Sequence, residues 1–163
     1  MAAGLQVIVL CLISGLWIAG PGECASPKDD CSDPCPPQWS PFNSRCYRYE
    51  SGQKAWADAE RHCTLLGGNL ASIRSEAEYD FIRGVVLKAA GRHQESWVGG
   101  YDAAKEGVWL WSDGSQFEFK RWAKGEPNNL RGEGCMEINL KGRDFVNDAK
   151  CSQEQPFICA KDQ

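Results

Sequence analysis

Histidine is scarce in this 163-residue chain: there are two, His62 and His93. Each falls in or beside a segment with helical patterning, and neither has a cysteine or serine motif at hand. Surface or packing roles suit them better than catalysis. Threonine occurs once, at Thr64, so no surface of repeated threonines can form. No Asn-x-Ser/Thr triplet exists, which removes N-glycosylation. Lys and Arg number 18 against 22 Asp and Glu, for a net charge of −4, and the basic residues are scattered. Without a basic stripe nothing neutralises a phosphate backbone, which excludes nucleic acid as a partner. Internal repeats and low-complexity runs are missing too.

Charge is absent from the first 22 residues. Leu5 to Ile18 is an apolar run shorter than the roughly 20 residues a membrane span needs, and small residues follow it. The pattern reads as a secretory signal peptide over residues 1–22, cleaved after Gly22, with a leading segment that lacks Lys and Arg. Residues 23–34 are small, polar and Pro-containing, an N-terminal arm ahead of a compact domain over 35–163. At 25% charged and 42% hydrophobic residues, one globular domain is expected.

Cysteine is what the chain has in plenty. Removing Cys11 with the signal peptide leaves eight: Cys24, Cys31, Cys35, Cys46, Cys63, Cys135, Cys151 and Cys159. An even count in a secreted chain implies a disulfide framework, and spacing alone cannot choose the pairing. Zinc at Cys31, Cys35 and Cys46 is the alternative, disfavoured by an oxidising route.

Aromatic residues from Trp39 to Tyr49 surround the turn Asn43-Ser44, which suggests a hairpin. Trp56, Ala59, Cys63 and Leu66 recur at helical spacing, predicting a helix over 53–66 that Gly67-Gly68 stops. Asn69 to Ile73 reads as a short strand. Ser75 and Glu78 form a capping box for a second helix, with Tyr79, Ile82, Val86 and Ala89 as its buried stripe and Gly91 at its end. Gly84 inside that helix costs about 1 kcal/mol against Ala, so compensating packing is expected there. Strands follow at Trp97–Tyr101, Val108–Ser112, Met136–Leu140, Asp144–Val146 and Phe157–Ala160. Helices first and brief antiparallel strands afterwards make an α+β domain. Trp97, Trp109 and Trp111 are expected in the core, the last two on one face of a strand. Trp122 is expected to anchor the segment that follows it. From Ser115 to Gly134 little is regular, and a long irregular segment in a compact domain usually has a function.

That segment opens a run of oxygen donors. Glu126, Asn128, Glu133, Asn147 and Asp148 lie within 23 positions that hold no histidine. Hard oxygen ligands without imidazole suit calcium rather than zinc or copper. The spacing is not that of an EF-hand. Asn, Asp and Gly also fill turns, and composition alone leaves both readings open.

The chain resembles the C-type lectin-like domain over residues 35–163. Trp97-Val98-Gly99-Gly100 is similar to the family's core strand. Trp109 to Gly114, Arg121-Trp122 and Glu126-Pro127-Asn128 follow in the family's order, and Cys63, Cys135, Cys151 and Cys159 fall at its framework positions. The resemblance implies a disulfide-stapled fold with two helices and a long calcium-binding loop. It implies the pairs Cys63–Cys159, Cys135–Cys151 and, in the long form, Cys35–Cys46. Cys24 and Cys31 are left to pair locally or to join subunits in a homo-oligomer. Glu126, Asn128, Glu133, Asn147 and Asp148 match the primary Ca2+ ligands, which also contact sugar. Asp102, Glu106 and Asn129 match a second calcium site, where Gly134 replaces an acid often found. Val146 stands where Trp is usual, implying a looser strand with the metal site intact. The Glu126-Pro127 bond is expected to be cis, a form found in about 5–6% of X-Pro bonds.

By resemblance, the order Glu126 then Asn128 accompanies mannose-type glycans: mannose, fucose or N-acetylglucosamine. Leu130 then stands as an apolar neighbour of the sugar or as a loop plug. The expected activity is calcium-dependent carbohydrate binding by a secreted, extracellular defence lectin of innate immunity that recognises microbial or cell-surface glycans. Enzyme activity is not expected. Glu126 and Glu133 could be imagined as a glycosidase pair, but the metal claims both. The alternative is an antifreeze or venom-type protein-binding role on the same fold, similar to type II antifreeze proteins. The single threonine argues against the antifreeze form.

Overall fold

The computed structural model describes residues 35–163. The expected signal peptide, the arm, and Cys24 and Cys31 lie outside the described residues. Chain order begins with the hairpin β1 (Ser40–Phe42) and β2 (Arg45–Lys54). Asn43 and Ser44 take positive φ of 45° and 60°, and Phe42 pairs with Arg45. That is the left-handed two-residue loop whose twist matches the flanking strands. The Cys35–Cys46 disulfide staples the hairpin.

Helix α1 (Trp56–Leu65) buries Ala59 and Cys63, with Trp56 and Leu66 packed beside them. It starts later than the periodicity predicts because Gln53 and Lys54 finish β2, where Lys54 pairs with Gln155. Gly67, at φ 82°, ends it. A Cβ on Gly68 would lie 2.2 Å from the Ala160 carbonyl oxygen, so only glycine lets the chain pass there. β3 is reduced to Asn69–Leu70. Beyond it Ala71, Ser72 and Ile73 stay buried without strand geometry.

Helix α2 (Glu76–Ala90) is capped by Ser75, whose side chain accepts from the Glu78 N–H at 3.1 Å. The box closes only halfway. The Glu78 carboxylate accepts from the Arg74 N–H instead of reaching Ser75, because Arg45 and Tyr47 hold it in the interior. Tyr79, Ile82 and Val86 are buried as predicted, but Ala89 is exposed and Ala90 takes the packed position. The packing expected around Gly84 is also missing: the residue is exposed, and an added Cβ would meet nothing within 4 Å.

The remaining strands are β4 (Ser96–Tyr101), β5 (Leu110–Trp111), β6 (Cys135–Ile138), β7 (Val146–Ala149) and β8 (Gln155–Asp162). They join one sheet in the order β1-β2-β8-β4-β6-β7, with β3 on β8 and β5 on β4. Pairing is antiparallel except between β4 and β8, where Trp97 meets Phe157 in parallel. The sheet is therefore mixed, because β4 and β8 are separated in sequence and no hairpin forces their direction. One core face gathers Tyr47, Ile82, Val98, Trp111, Met136 and Ile158, and the other gathers Trp97, Phe157 and the Cys63–Cys159 and Cys135 sulfurs. Among the described residues no helix is long and apolar enough to cross a membrane.

Candidate functional site

The segment 115–134 contains no helix or strand and is tied along β7 instead. Ala123 N–H donates to the Val146 carbonyl at 2.9 Å, and Gly134 N–H donates to the Ala149 carbonyl at 3.1 Å. Between these ties the Asp148 carboxylate accepts from two consecutive amides, Asn128 N–H at 3.1 Å and Asn129 N–H at 2.7 Å. Strand β7 was predicted at Asp144–Val146 but occupies Val146–Ala149. Asn147 and Asp148 thus sit within an edge strand. Val146 is fully buried and β6–β7 register is unbroken from Ile138–Val146 to Cys135–Ala149. The looser strand expected from its small side chain is not seen, because Met136 and Ile138 fill the same core cluster.

The Glu126-Pro127 bond is cis. Asn128 Nδ2 donates to Glu126 Oε2, and Leu130 N–H donates to both Asn128 Oδ1 (2.8 Å) and Glu133 Oε2 (3.2 Å). Four of the five expected donors, Glu126, Asn128, Glu133 and Asp148, therefore belong to one net. Asn147 stands apart from it, its Nδ2 donating to Glu137 Oε1 at 2.9 Å. Leu130 is 60% exposed at the rim, so it does not plug the loop. Trp122 packs on Trp109 with ring centroids 4.6 Å apart and anchors the segment as expected. Trp97 and Trp111 lie in the core, with Trp109 half-buried beside them.

Burial and the adjacent Asp148 and Glu133 carboxylates raise the Glu126 pKa, and burial and Asp148 raise that of Glu133. Loss of hydration, Asp102 and Asp148 likewise raise Glu106, exposed as it is. Asp102 is buried: Oδ2 accepts from Gly107 N–H at 2.8 Å, while Oδ1 has no partner. Gly134 faces it, since a Cβ there would lie 3.2 Å from that oxygen. Negative charge is thus crowded over both groups of expected ligands, and a divalent cation is the species that relieves such crowding. In that sense the donor set fits calcium. Among the described residues, no three His, Cys, Asp or Glu side chains close up as a ready-made metal cluster. Asn129, at φ 49°, contributes its backbone N–H to Asp148.

Sequence reasoning missed Glu137. It is 4% exposed and opposite Asn147 in the β6–β7 ladder. A lone acid inside the apolar run Cys-Met-Glu-Ile was the available signal.

Residues 52–161 match the family described as Lectin C-type domain. The chain belongs to the C-type lectin family. This C-type lectin is 45% identical over 128 residues to the galactose-specific lectin nattectin of Thalassophryne nattereri, spanning 78% of this chain and 80% of that protein. It is 45% identical over 123 residues to ladderlectin of Oncorhynchus mykiss, spanning 75% of this chain and 65% of that one. Among solved structures, a Ca2+-dependent type II antifreeze protein in its Ca2+-free form superposes with a TM-score of 0.72 at 32% identity, over 78% of this chain and 99% of that one. A calcium-independent type II antifreeze protein gives 0.71 at 30% identity, over 78% and 94%. The C-type lectin fold therefore has members that depend on calcium and members that do not.

Proposed function

We propose that this C-type lectin is a secreted carbohydrate-binding protein that holds its saccharide through a Ca2+ ion at Glu126, Asn128, Glu133, Asn147 and Asp148. The observation that carries this reading is the crowding of Glu126 and Glu133 against Asp148, in a loop fixed by two amides on the Asp148 carboxylate. When bound, the ion offers coordination positions to two neighbouring sugar hydroxyls. The chain's own groups serve what remains of each hydroxyl, a lone pair and a proton. Asn128 and Asn147 amides donate to the lone pairs, and Glu126 and Glu133 accept the protons. Leu130 offers its exposed side chain to an apolar sugar face. Nothing in this arrangement breaks a bond, and the activity is binding rather than catalysis.

The order Glu126 then Asn128 supports mannose-type sugars. The 45% identity to a lectin named galactose-specific supports galactose as the second reading. A glycan array with Ca2+ and with EDTA tests both. Retention on mannose, fucose or N-acetylglucosamine that EDTA abolishes supports the first, and galactose retention selects the second. Binding that survives EDTA overturns the calcium mechanism. Glu126→Gln with Asn128→Asp is expected to move preference toward galactose.

A second ion at Asp102, Glu106 and Asn129 is supported by the unpartnered Asp102 Oδ1 and the raised Glu106. Gly134 supplies no carboxylate there. A signal peptide over 1–22 and an arm over 23–34 carrying Cys24 and Cys31 fit a secreted, disulfide-linked assembly, in which several weak sites act together. The antifreeze-type solved structures support ice binding as a rival role. The single Thr64 speaks against it, and a thermal hysteresis assay beside the array separates the two.

A further inference from the structure

Asn147 can serve as a metal ligand only if its amide presents oxygen, and an amide is nearly symmetric in shape. Something must hold its facing. In β6, Glu137 pairs with Trp97 of β4 on one side and with Asn147 of β7 on the other. Its carboxylate is buried, and N–H donors occupy both oxygens: Asn147 Nδ2 on Oε1 at 2.9 Å, and Gln155 Nε2 on Oε2. Glu137 acts as an acceptor through both oxygens. It therefore takes the Asn147 amide by its nitrogen. The turned-over amide would set Oδ1 against a carboxylate oxygen inside a buried space, two acceptors with no proton between them. Gln155 from β8 holds Glu137 from behind, so three strands fix one amide.

We infer that Glu137 is a positioning residue that sets the facing of the Asn147 amide, so that Oδ1 is the atom offered to calcium and one N–H stays free for a sugar hydroxyl. This rests on the proposed role of Asn147 as a calcium ligand.

Ca2+ titration by calorimetry, with thermal unfolding in EDTA, tests the inference on the full secreted chain. Glu137→Gln can present either oxygen or nitrogen to Asn147, and its Ca2+ affinity is expected to fall about 10- to 100-fold. Glu137→Asp keeps the charge but shortens the reach, and is expected to fall comparably. Retained affinity in that variant would mean that charge alone matters and overturns the inference. Slow exchange of the Asn147 side-chain N–H in EDTA, read by nitrogen-15 NMR, should be lost in Glu137→Gln. Wild-type affinity in Glu137→Gln overturns the inference and leaves the calcium site standing, whereas absence of heat with wild type overturns both. If Glu137→Gln is not secreted, Gln155→Met decides in the same titration: about tenfold weaker binding supports the inference and unchanged binding overturns it.

Discussion

Gly84 is the simplest residue to test. It lies mid-helix on the exposed face of α2, with room for a methyl group and no neighbour that requires its absence. Gly84→Ala should raise stability by about 0.5–1 kcal/mol through helix propensity and unfolded-chain entropy. Urea unfolding will read this as a higher midpoint at unchanged slope. Arg45 is the opposite case. Buried in β2, it donates to Glu78 Oε1 at 3.0 Å, the Tyr47 hydroxyl at 3.2 Å and the Ser72 carbonyl at 3.2 Å. Arg45→Met leaves the buried Glu78 carboxylate without its cation, which should cost about 3–5 kcal/mol. Replacing Glu78 by leucine in the same chain should restore part of it, since the uncompensated charge then disappears. Neither residue announced this pairing. Glu78 was legible as a helix cap, but a partner 33 positions away becomes visible only when β2 and α2 are packed together.

At the scale of elements, the irregular segment 115–134 is held at two ends by different means. Arg121 donates to Glu76 and Asp80 of α2 and to Asp144 ahead of β7, the last at 2.8 Å, and lies over the Tyr79 ring. These contacts are largely exposed and screened by solvent, so each contributes little to global stability. Arg121→Ala should shift the unfolding free energy by less than about 1 kcal/mol. Its effect should fall on the segment itself, as faster limited proteolysis between residues 115 and 134. Equal cleavage rates in variant and wild type would show that the β7 ties suffice alone. The hairpin, both helices and the irregular segment were legible in the sequence, because turn residues, a 3.6-residue period and the lack of any period are local signals. Strand ends were less so. β7 shifted from Asp144–Val146 to Val146–Ala149 because Asp144 is drawn outward to Arg121 and Arg83, while β6 pairs with the residues after it.

For the whole molecule, the Cys63–Cys159 bridge joins α1 to β8 across 96 residues. Closing a loop of that length should contribute about 4.7 kcal/mol on the chain-entropy account. Cys63→Ala with Cys159→Ala should lose close to that amount in denaturant titration, far more than the exposed Arg121 contacts. Acid sensitivity has a named contributor in Asp113. Burial raises its pKa, but hydrogen bonds from Ser115 and Ser72 and the Arg45 cation outweigh it, and the net value falls below the ordinary 3.8. A carboxylate depressed on folding adds stability above its unfolded value and loses it as pH falls through the folded one. Asp113→Asn should therefore be less stable than wild type at pH 7, by a margin that shrinks as pH falls below the ordinary 3.8 and through the lower folded value. Thermal midpoints across that range will check the sign.

The sequence by itself determined the secondary-structure types, the cysteine framework once the resemblance was recognised, and the chemical character of the site as hard oxygen without imidazole. These follow from residue identity and short-range periodicity. Tertiary structure decided what needs distant residues brought together: that one carboxylate, Asp148, fixes two amides of the irregular loop, that Asn147 is held apart from that net by Glu137, and that β4 and β8 run parallel. Their cause is the sheet order β8-β4-β6-β7, which packs strands from separate parts of the chain side by side and leaves the oxygen donors along one edge.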